Sequence, residues 1–147
     1  MQHLRNLALV PLIVLLTLLP PLAAAADVIA VVVNQATDVD ALSRTDVINI
    51  FMGRFRQFPS GATALPIDMP VSPVRAQFYR ALVNKEPAEI NAYWARLVFA
   101  GRTSAPIQTN TADDVLKALH ANPGGIAYLE RSRVTTREKI VFELITP

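Results

Sequence analysis

The chain has 147 residues, no cysteine and a formal net charge of +2. Without cysteine it has no disulfide, no thiolate metal ligand and no cysteine nucleophile. The small net charge argues against nucleic-acid binding, because a protein that binds nucleic acid carries a concentrated basic stripe. Hydrophobic residues make up 52% and charged residues 18% of the chain, which predicts a packed globule and not a disordered chain.

Residues 1–26 predict an export signal that is removed by cleavage. They hold one basic residue, Arg5, and no acidic one, followed by an apolar run over 7–19 and small residues up to Ala26. The run is shorter than the roughly 20 apolar residues that a membrane span needs, which argues against the alternative of an anchor. Cleavage after Ala26, with Ala24 as the alternative, would leave one domain, residues 27–147, in the periplasm.

The first half of this domain predicts two strands and a helix. The apolar, β-branched run 28–33 predicts a strand that is buried on both faces of a sheet. Ser43 is a good N-cap for a short helix over 44–52, because Asp46 stands three residues later and completes a capping box. A brief strand over 64–67 follows.

The second half predicts three helices and two strands. Serine and threonine are favoured N-caps, and proline fits the first helical turn, which places the helix starts at Ser72-Pro73, Pro87 and Thr111. The expected helix ends are about 83, just before Gly101, and the turn at 122–125. A polar loop is expected over 102–110 and strands over 126–129 and 140–144. Helices that alternate with strands predict an α/β domain with one sheet layer flanked by helices.

The sequence predicts no catalytic residue, no metal site and no cofactor. His120 has no second ligand nearby and is interpreted as solvated or as a complement to a helix end. Asp113 and Asp114 are adjacent, so in a helix they point about 100° apart, and they suit the positive end of the helix dipole. Trp94 and Phe99 are predicted to be core residues.

The best candidate for binding is Ser72-Pro73-Val74-Arg75. A helix N-terminus offers unpaired N–H groups and a partial positive charge, which suit an anion. Ser72 would add a hydroxyl, Val74 a backbone N–H and Arg75 a charged donor; the alternative is simply a well-capped helix. A loose cluster of basic residues near the C-terminus is predicted to be ordinary solvated surface. Its members are Arg131, Arg133, Arg137 and Lys139.

Several motifs together resemble the phosphate ABC transporter substrate-binding proteins. They are Ile50-Phe51-Met52-Gly53, the Ser72…Phe78 segment and Asn122-Pro123-Gly124-Gly125-Ile126-Ala127-Tyr128, spread over most of residues 28–130. The resemblance implies a type II periplasmic binding protein fold. Because the domain is about half the usual size, it implies a short single-lobe form with a mixed sheet flanked by helices.

The proposed ligand turn departs from the family pattern. Ser72 and Arg75 match the family, but Pro73 and Val74 replace glycine and threonine, and Asp68 stands where the family has an arginine. A carboxylate near the anion replaces an attraction of about 4 kcal/mol by a repulsion of the same order. Tight phosphate capture is therefore expected to be lost.

The resemblance implies an exported, non-enzymatic, solute-binding-like domain. It would bind phosphate or another small oxyanion weakly, with Ser72, Val74 and Arg75 as the candidate contacts. The alternative is a periplasmic interaction module that has lost its ligand. Such a module would dock on a membrane sensor or transporter, or would associate with itself as an oligomer.

Overall fold

The computed structural model describes residues 27–146, and the predicted export signal, residues 1–26, lies outside them. Five strands form one sheet in the spatial order β3-β2-β4-β1-β5. The strands are β1 (Asp27–Asn34), β2 (Leu65–Asp68), β3 (Ile107–Gln108), β4 (Gly125–Glu130) and β5 (Glu138–Thr146). β2 runs parallel to β3 and β4, whereas β1 runs antiparallel to β4 and β5. The predicted mixed sheet is confirmed.

Four helices cover this sheet within the described residues: α1 (Arg44–Phe51), α2 (Pro73–Val83), α3 (Pro87–Phe99) and α4 (Ala112–Ala121). Each begins at a capping residue that the local sequence supplies, and Ser43, Ser72 and Thr111 each accept a hydrogen bond from the third residue of the helix. None of the helices in residues 27–146 is long and apolar enough to cross a membrane.

Both faces of the central strands are buried. Every residue of 29–33 and of 125–129 is inaccessible, although neighbouring side chains of a strand point to opposite faces. On one face Tyr128 stacks on Phe78 of α2, with ring centroids 4.0 Å apart. On the other face Gly125 lies against Leu119 of α4. The predicted strand that is buried on both faces is therefore confirmed for 29–33, and Val28 is half-buried.

Two expectations for the region after α3 were wrong. Phe99 was expected in the core, but it is the last residue of α3 and is 96% exposed, because the helix ends there in a segment, 98–102, whose residues are all exposed. The region 102–110 was expected to be entirely loop, but Ile107 and Gln108 pair with Ile67 and Asp68 of β2. A strand of two residues carries no periodic signal in the sequence and exists only through its partner.

Candidate functional site

The parallel strands end at one edge of the sheet, called here the carboxyl edge. β2 ends at Asp68, β3 at Gln108 and β4 at Glu130. The chain leaves these strands into α2, into α4 and into a single 3₁₀ turn, Arg131–Arg133. Open α/β sheets bind ligands outside the carboxyl ends of their strands, so this edge is the first place to look for a site.

The start of α2 is fixed by Ser72. Its backbone is extended at φ −151°, its Oγ accepts the N–H of Arg75 at 3.2 Å, and its hydroxyl donates to the carbonyl of Met69 at 3.1 Å. Pro73 occupies the first helical position, where a missing N–H costs nothing. The hydroxyl of Ser72 is therefore already used twice within the chain, and it meets a ligand only by giving up the bond to Met69.

Ser72 and Val74 share a small pocket at this edge, called here the α2 pocket. Its volume is about 220 Å³, and its wall also includes Ala112, the first residue of α4. The first turns of two helices therefore border the same space, each with the partial positive charge of a helix N-terminus. Arg133 of the 3₁₀ turn lines the pocket as well, and its Nε donates to Glu130 at 3.2 Å, where both side chains are about half exposed.

Arg75 does not lie in the α2 pocket. Its Nε lies 3.1 Å and 2.9 Å from the two carboxylate oxygens of Asp68, and both side chains are at most 4% exposed. Asp68 also accepts hydrogen bonds from the hydroxyl of Tyr128 and from the backbone N–H of Met69. The structure thus brings Ser72 and Val74 together but turns Arg75 away, into an internal ion pair.

The ion pair changes the electrostatic role expected for Asp68. From the sequence, this carboxylate was expected to repel an anion at the start of α2. In the fold it neutralises Arg75, so the pair contributes little net charge to the edge. The seven-residue spacing of opposite charges around a strand-to-helix turn is the only sequence signal for this contact, and it cannot show which way the side chains point.

The surroundings of the pair keep two phenols neutral. Burial raises the pKa of Tyr79 far above its ordinary value, and the charge of Asp68 raises it further. Burial also raises the pKa of Tyr128 well above its ordinary value, and the neighbouring carboxylate of Asp68 adds to this effect. Both tyrosines therefore remain hydrogen-bond donors throughout the physiological pH range.

Two further places, His120 and a groove beside α1, offer fewer groups for binding or catalysis. His120 lies in the last turn of α4, where its Nε2 contacts Oε1 of the buried Glu138 at 2.5 Å. Within residues 27–146, no group of three or more His, Asp or Glu side chains could hold a metal ion. A further groove of about 710 Å³ lies open between α1 and the 54–63 segment, and its arginines, Arg54 and Arg56, are exposed to solvent.

Comparison with solved structures identifies the fold. The chain is similar to a phosphate ABC transporter substrate-binding protein from Clostridium perfringens, solved with bound phosphate, with a TM-score of 0.62 and 16% identity. It is equally similar to an ABC-type phosphate transport receptor from Vibrio cholerae, with a TM-score of 0.62 and 16% identity. The PstS protein of Borrelia burgdorferi gives a TM-score of 0.55 and 11% identity, over 82% of this chain and 58% of that one.

These similarities concern the fold. The first two matches cover 80% of this chain but only 45% and 46% of the other chains, so it spans just under half of their length. No protein-family profile and no curated protein matches the chain. The chain therefore has the fold of one lobe of a type II periplasmic binding protein, as the sequence motifs predicted.

Proposed function

We propose that this protein is an exported, non-enzymatic solute-binding domain that holds a small oxyanion, such as phosphate, weakly in the α2 pocket. The observation that carries the proposal is the meeting of two helix N-termini and Arg133 around one pocket at the carboxyl edge. Unpaired N–H groups at helix N-termini suit an anion. The similar solved structures are named as phosphate-binding or phosphate-transport proteins, which supports the same ligand class.

In this proposal Ser72, Val74 and Arg133 are the contacts, and Arg75 is not. Val74 offers a backbone N–H of the first helical turn, and Arg133 offers a guanidinium once it turns from Glu130. Glu130 lines the same pocket and repels an anion, and the hydroxyl of Ser72 has to leave Met69. Both features favour weak binding over tight capture.

The proposal is tested by calorimetry with phosphate and sulfate on the wild-type protein and two variants. Arg133→Gln is expected to weaken binding several-fold, because it removes the guanidinium from the pocket. Arg137→Gln is the matched control, since Arg137 is exposed in the same segment but does not line the pocket; it is expected to leave the affinity unchanged. No heat at millimolar phosphate and sulfate, or an equal effect of both variants, would overturn the proposal.

A second candidate function is docking on another protein. Two large apolar side chains flank α2 and α3 almost fully in solvent, Val71 at 93% and Phe99 at 96% exposure. Their chain neighbours Pro70 and Val98 line one cavity, and contiguous exposed apolar side chains mark interaction surfaces. A membrane transporter or sensor, or a second copy of the chain, would be the partner. Light scattering tests self-association, because it measures the molar mass in solution. If the wild type is a monomer at high concentration and Val71→Ser and Phe99→Ser have the same molar mass, this result would count against a dimer.

A further inference from the structure

The helices α1 and α3 end in the same sequence pattern: phenylalanine, one further residue, glycine and arginine. The two copies are Phe51-Met52-Gly53-Arg54 and Phe99-Ala100-Gly101-Arg102. In both copies the glycine has a positive φ, +67° at Gly53 and +65° at Gly101, which is the usual way for a chain to leave a helix. Each helix C-terminus is therefore followed directly by an arginine.

The two helix ends lie side by side in the fold. The hydroxyl of Tyr93 in α3 donates to the carbonyl of Met52, the C-cap of α1, at 2.7 Å. A Cβ at Gly53 would lie 3.3 Å from Cγ2 of Thr103, so the turns that follow the two helices also touch. Side chains on these two turns are therefore parts of one surface.

This surface carries an unbalanced charge. Residues 47–67 and 90–112 contain four arginines and no acidic residue, whereas the rest of 27–147 holds nine basic and twelve acidic residues. None of the four arginines forms an ion pair within residues 27–146, and all four are exposed. We call the segments 54–56 and 96–102 the arginine face. Its arginines are Arg54, Arg56, Arg96 and Arg102.

The helix ends alone do not account for these charges. A helix C-terminus carries a partial charge of about −0.5, so the two ends together balance about one arginine. Among the described residues, Asp46 is the acidic one that lines the groove beside Arg54, and it balances another. An excess of about two positive charges therefore remains on the arginine face, and it attracts an anionic partner.

Apolar side chains stand among these arginines in solvent. Phe55 is 57% exposed, Val98 46% and Phe99 96%, and in the chain each group is flanked by two of the four arginines. A free anion would satisfy the arginines but would leave the rings in water. The surface of an anionic bilayer offers phosphate groups to the arginines and the boundary of the acyl chains to the rings.

We infer that the arginine face docks on the surface of an anionic lipid bilayer. The arginines lie at the lipid phosphates, and Phe55, Val98 and Phe99 enter the headgroup region. The inference does not depend on the oxyanion proposed for the α2 pocket, because no residue of the arginine face lines that pocket. Phe99 is shared with the second candidate function, in which the partner is a protein, and vesicles of pure lipid separate these two partners.

The test is sedimentation with vesicles of two compositions, phosphatidylcholine alone and phosphatidylcholine with phosphatidylglycerol in equal parts. All proteins are made from the complete chain, so a contribution of residues 1–26 is the same in each. The wild type should bind the anionic vesicles more tightly than the neutral ones, and added salt should weaken this binding by screening. Equal binding to both compositions, or no binding to either, would overturn the inference.

Two double variants test the position of the charge. Arg54→Gln with Arg102→Gln removes one arginine from each segment; an arginine near an anionic membrane contributes about 1 kcal/mol, or about fivefold, so binding should fall roughly twentyfold. Arg131→Gln with Arg137→Gln removes the same charge at the other end of the sheet, beside β5, and should change binding little. An equal loss in both would mean that only the net charge matters, against the inference.

Phe99→Ser and Ile145→Ser test the apolar contact. Both side chains are largely in solvent, so neither substitution opens the core, and Ile145 lies in β5, away from the arginine face. Phe99→Ser should weaken vesicle binding several-fold even at high salt, whereas Ile145→Ser should not. If Phe99→Ser binds as the wild type does, the ring stays out of the lipid and the inference is wrong. Loss of phosphate binding in Arg133→Gln bears only on the α2 pocket, so the two proposals fail independently.

Discussion

At the scale of single residues, the strongest local feature is the ion pair of Asp68 and Arg75. Both side chains are almost completely buried, and Asp68 also accepts hydrogen bonds from Tyr128 and Met69. The cost of removing two charges from water is offset only while both partners and their hydrogen bonds are present. The pair therefore fixes the direction of Arg75, away from the α2 pocket.

We expect the protein to lose stability when either partner of the ion pair is replaced alone. Arg75→Met leaves a buried carboxylate, and Asp68→Asn leaves a buried guanidinium, so each should lower the free energy of unfolding by about 3–5 kcal/mol. The double variant should cost much less than the sum, because no unpaired charge remains. Urea unfolding followed by far-UV circular dichroism measures all four proteins. Strictly additive costs would mean that the two side chains do not interact in the way described.

Glu138 makes the stability depend on pH. Burial raises its pKa, but hydrogen bonds from the hydroxyl and the N–H of Thr135, together with His120, outweigh this effect and hold the pKa below its usual value of 4.5. A carboxyl whose pKa is lower in the folded state stabilises the fold fully above the unfolded pKa. That contribution is lost as the pH falls through the folded pKa.

We therefore expect Glu138→Gln to be less stable than the wild type near neutral pH and to approach it in acid. Urea midpoints of both proteins between about pH 6 and about pH 3 measure the difference between them. The comparison is needed because exposed acids with lowered pKa values, such as Asp40, change both proteins equally. A difference that stays constant over this range would contradict the assignment.

At the scale of elements, the junction of α1 with α3 depends on a glycine. Gly53 follows the C-cap of α1 at φ +67°, and a Cβ there would lie 2.5 Å from Cη2 of Trp94. Glycine both adopts the left-handed conformation without strain and leaves room for the indole. The end of one helix thus sets the position of the Trp94 indole on another.

Gly53→Ala and Gly101→Ala separate these two effects. Gly101 has nearly the same backbone, φ +65°, but nothing lies within 4 Å of the position of its Cβ, so its substitution should cost only the left-handed strain of about 1–2 kcal/mol. Gly53→Ala should cost at least about 1 kcal/mol more through overpacking. It alone should shift the fluorescence of Trp94. Equal losses in thermal or urea unfolding would mean that the indole moves aside freely.

Most of the elements could be predicted from the sequence because their signals are local. Ser43, Ser72 and Thr111 cap the helices that were expected to begin there. The strand β3 could not be predicted, since its two residues owe their conformation to pairing with β2. The exposure of Phe99 could not be predicted either, because it depends on which side chains of the end of α3 the rest of the fold covers.

At the scale of the whole molecule, the buried apolar side chains form one connected cluster that includes residues of β1, β2, β4, β5 and all four helices. A single core of this kind predicts one cooperative unfolding transition. Far-UV circular dichroism and Trp94 fluorescence should give the same urea midpoint. Separate midpoints would show that α3, which carries Trp94, unfolds independently of the sheet.

The sequence could predict only those residues of the candidate site whose positions depend on their near neighbours in the chain. Ser72 and Val74 follow from the cap of α2, and both line the α2 pocket. Arg133 was interpreted as ordinary surface, because its place beside α2 depends on the order of strands in the sheet. The same holds for the ion pair, which joins Arg75 of α2 to Asp68 at the end of β2.

The position of β1 in the sheet determines when the sheet can form during synthesis. β1 is flanked by β4 and β5, and Asp27 pairs with Thr146. For most of translation, the nascent chain therefore contains β1 but not yet β4 or β5, the two strands that pair with it. Contacts between residues so far apart in the sequence also form slowly. The sheet therefore cannot be completed before β5, the last of its strands, has left the ribosome.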